Sequence, residues 1–173
     1  MYLTLLDGYE AIMEFMSRGG EVLWIIGILL LVKWSLIFER VWYLHSTHAR
    51  RVKDTLAAWN SRSDKRSWNA HQIRNMMISE ARLNLKATFP MIEALVVVCP
   101  LLGLIGTVTG MIEVFYVMAL TGGGDAQSMA GGVSKATIPT MAGMVGALSG
   151  IFASNWLKNK MDRELELLED NMA

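Results

Sequence analysis

The sequence predicts an all-α membrane protein with three transmembrane helices, the first two of which extend into a cytoplasmic helical bundle. Its composition is 53% hydrophobic and 18% charged, and its mean hydropathy of +0.33 is high for a soluble domain. The apolar residues are concentrated in three blocks, 22–38, 94–112 and 136–157. Each block has close to the roughly 20 residues that cross a hydrocarbon core about 30 Å thick.

The N-terminal part of the chain has helical periodicity. Apolar residues recur at helical spacing over residues 1–20, which predicts a short amphipathic helix on the outer leaflet that ends at Gly19-Gly20. The first transmembrane helix is predicted at 21–44. The aromatic residues of this helix include Trp24, Trp34, Trp42 and Tyr43. Some of them stand where an interfacial aromatic belt would hold the two ends of the helix.

Residues 45–90 predict a helical hairpin. Helical runs extend from the first span to about Trp59 and from about Ser67 into the second span, and the polar segment 60–64 forms the turn between them.

Two more spans follow the hairpin. They are predicted at 91–120 and 135–157, with a flexible glycine-rich loop at 121–134 between them. The last segment, 158–173, predicts a charged tail helix with a narrow apolar stripe that we expect to pack against a neighbour on the cytoplasmic side. The stripe consists of Met161, Leu165 and Leu168.

The distribution of charge predicts the orientation in the membrane. Residues 39–90 hold ten basic and four acidic residues, whereas the loop 121–134 holds one acid and no base. Because basic loops remain in the cytoplasm, the hairpin and the tail are predicted inside, and the N-terminus and the loop outside. No cleavable signal is predicted, since the first 15 residues carry acids where a basic n-region would stand.

Composition and motifs argue against several classes of function. The net charge is zero, which gives no reason to expect a nucleic-acid partner. No phosphate-binding loop, catalytic nucleophile with a base, or metal-ligand spacing occurs, so neither an enzyme nor a cofactor is predicted. His45 and His48 could share a metal only with a third ligand, and we interpret them as polar surface. Cys99 is the one cysteine and is interpreted as a packing residue.

Small residues line one face of each of the last two spans. Such faces allow the close backbone contact that holds membrane helices together, because lipid supplies no hydrophobic drive for association. We expect these faces to meet neighbouring helices. The predicted packing glycines are Gly103, Gly106, Gly110, Gly143, Gly146 and Gly150.

Hydroxyl groups also occur at membrane depth. Each of them could bond a carbonyl of its own helix, as is common in transmembrane helices. Alternatively, their helical spacing indicates a mildly polar seam. The hydroxyl residues are Thr107, Thr109, Thr137, Thr140 and Ser149.

Four charged residues lie within or at the ends of the spans. We expect Lys33, about six residues from the cytoplasmic end of its span, to extend towards the interface, with a partner carboxylate from another chain as the alternative. Glu93, Glu113 and Lys135 are interpreted as markers of helix ends near water.

The sequence PLLGLIGTVTGM at 100–111, followed by ATIPTMAGMVGAL at 136–148, resembles the signature of the ExbB, TolQ and MotA family of proton-channel subunits. The resemblance covers the second and third spans closely. It covers the end of the first span, Phe38 to Trp42, more loosely.

The resemblance implies a proton-channel subunit in the inner membrane of a Gram-negative bacterium. It implies a homopentamer around a central pore that holds transmembrane helices of ExbD, with TonB as a third partner. Proton flow would then energise transport across the outer membrane. Thr107 and Thr140, with Thr137 beside them, correspond to pore-lining positions, and the proton-carrying aspartate would belong to ExbD.

One position departs from the family pattern. Many ExbB and TolQ proteins have a glutamate early in the third span, where this chain has Lys135. With this lysine and its short length, the chain resembles the ExbB of a second, vibrio-type TonB system. The alternatives are a TolQ-like subunit for envelope integrity and a membrane scaffold that conducts nothing.

Overall fold

The computed structural model describes residues 2–62, 64, 67–122 and 126–172, and every regular element in these residues is helical. Three stretches of them are long and apolar enough to cross a membrane, namely Gly20–Ser46, Trp68–Leu120 and Met129–Asn171. The predicted all-α membrane fold with three spanning helices is therefore confirmed. The helices are α1 (Tyr2–Arg18), α2 (Gly20–Tyr43), α3 (Ala49–Asn60), α4 (Trp68–Lys86), α5 (Phe89–Thr121) and α6 (Ala126–Asn171), and a π-helical turn (Leu44–His48) joins α2 to α3.

The chain divides into two compact units. The first contains the described parts of Met1–Lys33 and Leu95–Gly150, and the second contains those of Trp34–Ala94 and Ile151–Ala173. The first unit holds α1 and the predicted site residues of the spans except Glu93, so it holds most of the candidate site.

The turn between α1 and α2 depends on glycine. Gly20 has φ of +69°, a left-handed conformation that glycine adopts without steric strain. Gly19 is buried, and a Cβ there would lie 3.1 Å from Cγ2 of Ile138 in α6. The break predicted at these two glycines therefore lets α1 turn back while α2 and α6 stay close.

The second unit has two apolar clusters at its centre. The first joins α2, α4, α5 and α6 and consists of Ile37, Leu85, Phe89, Ile92, Leu157, Met161 and Leu165. The second joins α3, α4 and the end of α6 and consists of Trp59, Ala70, Ile78, Leu168 and Met172. These clusters hold the predicted hairpin together, and Ser67 accepts a hydrogen bond from the backbone N–H of Asn69 as the N-cap of α4.

Basic residues of the second unit cap and connect its helices. The guanidinium of Arg74 donates to the carbonyl oxygens of Met172 at 2.9 Å and Glu169 at 2.8 Å, which satisfies carbonyls at the C-terminus of α6. Lys86 forms an ion pair of 2.7 Å with Asp162 of α6. Part of the basic charge between the first two spans therefore has a structural role.

The region predicted as a loop at 121–134 differs in the structure, because α6 already begins at Ala126. Gly123, Gly124 and Asp125 of that loop lie outside the described residues. Gly132 lies so close to Val114 of α5 that a Cβ would overlap its side chain. This glycine allows helix contact rather than flexibility, and glycine is common within membrane helices.

The predicted tail helix is not a separate element, because α6 continues without interruption to Asn171. Its apolar stripe is buried within its own chain, in the two clusters of the second unit. The stripe, which was expected to pack against a neighbour, finds its apolar partners on α2 to α5 of the same chain, since these helices leave a hydrophobic surface beside it.

Candidate functional site

The glycines of α5 lie against α6. A Cβ on Gly103 would lie 2.9 Å from Cα of Thr140, and one on Gly106 would lie 2.5 Å from Cβ of Pro139. One on Gly110 would lie 2.6 Å from Cα of Ala136. These distances are shorter than real Cβ contacts, so all three positions require glycine for the observed helix separation.

The glycines of α6 contact two different helices. A Cβ on Gly143 would lie 2.6 Å from the carbonyl oxygen of Cys99 in α5, and one on Gly146 would lie 2.6 Å from Cδ2 of Leu30 in α2. A Cβ on Gly150 would lie 2.6 Å from Cγ2 of Val96.

All six glycines that the sequence predicts for helix packing therefore lie at helix contacts within the chain. The first unit uses these small-residue faces because its helices α2, α5 and α6 approach closely enough to need them. Pro139, packed on Gly106, belongs to the same contact.

The three predicted pore threonines have different hydrogen-bond partners. Thr140 donates across the helix contact to the carbonyl oxygen of Gly103, at 2.8 Å. Thr107 donates to Leu104 of its own helix, at 2.7 Å. Thr137 is exposed and donates within α6 to Val133 and Ser134, at 3.2 and 3.1 Å. The hydroxyls of Thr107 and Thr137 thus bond carbonyls of their own helices, which is one of the two possibilities that the sequence left open.

Lys33 is buried in the first unit, with no exposed surface. Its ammonium group donates to the carbonyl oxygen of Gly146 at 2.7 Å and to the hydroxyl of Ser149 at 3.3 Å. The expectation that Lys33 extends to the membrane interface was therefore wrong. The ammonium finds hydrogen-bond acceptors on α6 at its own depth, which makes extension unnecessary.

Glu113 and Lys135 form an ion pair between α5 and α6. The Lys135 ammonium lies 2.7 and 2.9 Å from the two carboxylate oxygens of Glu113, and both side chains are about half exposed. Cε of Lys135 also lies 3.2 Å from the position of a Cβ on Gly20. The pair thus connects the last two spans beside the turn between α1 and α2. Glu93, in the second unit, is exposed on the first part of α5.

One polar residue was not identified from the sequence beyond its charge. Arg40 is 5% exposed and donates to the Thr88 hydroxyl at 2.6 Å and to the Asn84 carbonyl at 3.3 Å. Its guanidinium lies 5.2 Å from the centre of the Tyr43 ring. An arginine at the end of an apolar block is a weak signal for such burial, because most residues of this kind face water.

The polar groups of the first unit include hydroxyls, carbonyl oxygens and the Lys33 ammonium, and the Glu113–Lys135 ion pair lies in the same unit. Such groups can orient water or a partner's carboxylate by hydrogen bonding. Within the described residues, no three His, Cys, Asp or Glu side chains are placed to hold a metal ion.

Comparisons with known proteins identify related chains. A model of the MotA/TolQ/ExbB proton channel family matches residues 44–170. The chain is 27% identical over 185 aligned residues to the biopolymer transport protein ExbB-like 1 of Synechocystis sp., covering 88% of this chain and 72% of that relative.

Two further relatives align over shorter regions. ExbB-like 3 of the same organism is 30% identical over 95 residues, covering 53% of this chain and 45% of the relative. The biopolymer transport protein ExbB of Helicobacter pylori is 40% identical over 63 residues, covering 36% and 43%. The chain thus spans less than half of these two relatives. No solved structure matches it.

Proposed function

The chain belongs to the MotA/TolQ/ExbB proton channel family, and from this premise we propose that it is the proton-channel subunit of an ExbB/ExbD motor. The motor would use the proton motive force of the inner membrane of a Gram-negative bacterium to energise TonB-dependent transport across the outer membrane. The observation that carries the proposal is the family match over residues 44–170, which contains almost all of α5 and α6 with their threonines and glycines. The match also confirms the resemblance found in the sequence.

Exposed apolar surface supports assembly into a ring. In the first unit, α5 and α6 both expose large apolar side chains. These are Leu104, Ile105, Val108 and Ile112 of α5 and Met141, Met144, Val145 and Leu148 of α6. Lipid, further copies and a partner's transmembrane helices can all cover such surface, and we propose a homopentamer around helices of ExbD.

The proposed orientation has the N-terminus in the periplasm and the C-terminus in the cytoplasm. Its support is the excess of basic residues in 39–90, because basic segments beside membrane spans tend to remain in the cytoplasm and α3 and α4 lie in this region. The ion pair of Glu113 and Lys135 would then lie near the periplasmic ends of α5 and α6.

The threonine hydroxyls are the groups that we propose to line the ion path. Thr140 is half-buried at the contact of α5 with α6, and Thr107 is half-buried on α5. A hydroxyl that bonds a carbonyl keeps the ability to accept a hydrogen bond from water or from a protonated carboxyl. A narrow lumen with such groups can serve an inserted helix without holding a permanent water wire that would dissipate the gradient.

A membrane scaffold that conducts nothing is the second candidate. One observation favours it: the hydroxyls of Thr107 and Thr137 bond their own helices, and the glycines serve packing within the chain. A TolQ-like role is less favoured, because the relatives carry ExbB names.

Proton flux tests the proposal. The chain, purified with ExbD of the same bacterium and reconstituted in vesicles with an imposed pH gradient, should conduct protons. The chain without ExbD should conduct far less. Absence of flux in complexes of correct mass would contradict the channel role and favour the scaffold. Loss of TonB-dependent uptake on deletion of the chain would support the nutrient-transport role, and intact uptake with a leaky envelope would favour a TolQ-like role.

A further inference from the structure

Lys33 lies far from both ends of α2. Ten residues separate it from the end of the helix at Tyr43 and thirteen from the start at Gly20, which are about 15 Å and 20 Å along the axis. An ionisable side chain at such a depth is unfavourable unless it faces the interior of the protein and has polar partners. Lys33 meets both conditions, because it is fully buried and bonded to α6.

The site that receives Lys33 is formed by three residues of α6. The ammonium donates to the Gly146 carbonyl and to the Ser149 hydroxyl, and Ser149 itself donates to the same Gly146 carbonyl at 2.8 Å. Gly150 leaves room for the lysine, since a Cβ there would lie 3.1 Å from Nζ and 3.2 Å from Cδ. The ammonium, the carbonyl and the hydroxyl thus bond one another.

This contact fixes the position of α6 along α2. Gly146, Ser149 and Gly150 present one carbonyl, one hydroxyl and one gap within about one turn of the helix. A slide of α6 by one residue, about 1.5 Å, would remove this combination from the reach of Lys33.

The position of α6 matters for the ion path because Thr140 is on the same helix. It lies six residues from Gly146, about 9 Å along the axis, and is tied there to Gly103 of α5. Lys33 and Thr140 therefore hold α6 at two levels against two different helices.

We propose that Lys33 is a positioning residue for ion conduction. By donating to Gly146 and Ser149 it fixes α6 against α2, and it thereby holds Thr140 where ions pass. This inference rests on the proposed channel function, and it assigns Lys33 no contact with the ion itself.

The test compares three substitutions in the complete complex with its partner, reconstituted in vesicles. Lys33→Met keeps a long side chain without a donor, Lys33→Gln keeps a donor without charge, and Lys158→Met is the control at an exposed lysine. We expect Lys33→Met to reduce proton flux per assembled complex by about tenfold or more, since misplacement by about 1 Å can cost about a hundredfold where groups must be aligned. Lys33→Gln should retain most of the flux, and Lys158→Met all of it.

The outcomes separate positioning from stability alone. Parent-like flux in Lys33→Met would overturn the proposal, and so would equal losses in the Met and Gln variants, which would make charge the property that matters. If the Lys33→Met variant does not assemble, Lys33→Gln and Ser149→Ala provide the test. Retained flux in Lys33→Gln together with a several-fold loss of flux in Ser149→Ala supports positioning. Any other pair of results overturns the proposal.

A cysteine pair reports the position of α6 without any conduction. The pair is Leu30→Cys with Gly146→Cys, in a Cys99→Ala background. The sulfur of Leu30→Cys would lie near the present Cγ of Leu30, and this Cγ is 3.4 Å from the Cβ position of residue 146. Efficient oxidative cross-linking is expected with Lys33 present, and reduced cross-linking with Lys33→Met. Unchanged cross-linking would overturn the positioning role. If cross-linking depends on Lys33 in this way but the parent complex conducts no protons, the channel function is contradicted and the positioning of α6 by Lys33 is not.

Discussion

The hydroxyl of Thr140 in α6 donates a hydrogen bond of 2.8 Å to the carbonyl oxygen of Gly103 in α5. The bond requires glycine at position 103, because a Cβ there would lie 2.9 Å from Cα of Thr140. Thr107, one turn further along α5, donates instead to Leu104 of its own helix. Two threonines that the family resemblance treats alike therefore have different partners, and removing each hydroxyl should have a different effect on stability.

Thr140→Val removes the hydroxyl and keeps the side-chain shape. We expect the stability of the chain in detergent to fall by about 0.6 to 2 kcal/mol, as for other interhelical hydrogen bonds. Proton flux should fall by about tenfold or more, because the path loses an oriented polar group. Thermal unfolding and vesicle flux measure the two effects, and Thr140→Ser should restore both. A stability loss with normal flux would show that the hydroxyl only ties α6 to α5.

Thr107→Val removes a hydroxyl that bonds its own helix, so stability should change little. Combined with Thr140→Val, it should leave the mass of the complex unchanged while TonB-dependent uptake fails. Native mass and uptake of a nutrient that needs TonB provide the measurement. Uptake at the parent level in the double variant would mean that neither hydroxyl serves the ion path.

Gly146→Leu introduces a side chain where a Cβ alone would lie 2.6 Å from Cδ2 of Leu30. Overpacking of this kind costs about 1 to 3 kcal/mol or more, and here it would also displace the acceptor of Lys33. We expect a lower unfolding temperature in detergent and loss of the complex. Gly131→Leu is the matched control on the same helix, because nothing lies within 4 Å of a Cβ at Gly131. Equal stability of the two variants would contradict the contact between α2 and α6.

The helices and the packing glycines could be predicted because hydropathy and small-residue spacing are local properties of the sequence. Gly146 and Gly150 were recognisable as contact positions from their spacing alone. Which helix each glycine meets depends on how the chain folds back on itself, and spacing carries no information about that. Spacing therefore predicted close helix contacts without their partners, and the structure shows that α2 and α5 provide these partners for the glycines of α6.

The loop at 121–134 shows a second limit. Gly131 and Gly132 look like loop residues by composition, but they lie within α6, and Gly132 contacts Val114. Lys33 shows a third limit, since extension to the interface is the general behaviour of a lysine near the end of an apolar block. Only the structure shows that Gly146 and Ser149 lie opposite it on another helix.

Orientation can be tested at Ser61, which is exposed at the end of α3. Ser61→Cys should react with a membrane-impermeant thiol reagent only after the cells are opened, because the surrounding segment is basic and predicted to be cytoplasmic. The parent chain is the control, since its Cys99 is buried and should stay unlabelled. Labelling of Ser61→Cys in intact spheroplasts would reverse the proposed orientation.

The last prediction concerns the ion pair of Glu113 and Lys135, which lie 2.7 Å apart and are both about half exposed. If the pair acts as a unit, Glu113→Gln and Lys135→Gln should each leave one charge without its partner, and the exchange Glu113→Lys with Lys135→Glu should restore function. Exposed pairs contribute only about 0.2 to 1 kcal/mol, so the measured coupling in a double-mutant cycle of unfolding should be in this range. Uptake should be reduced in both single variants and recover in the exchanged chain. Lys86→Gln, which breaks the ion pair with Asp162 in the second unit, controls for loss of an exposed pair elsewhere. If the exchanged chain remains as impaired as the single variants, the lysine is needed at position 135 itself, and it then acts on a partner rather than on Glu113.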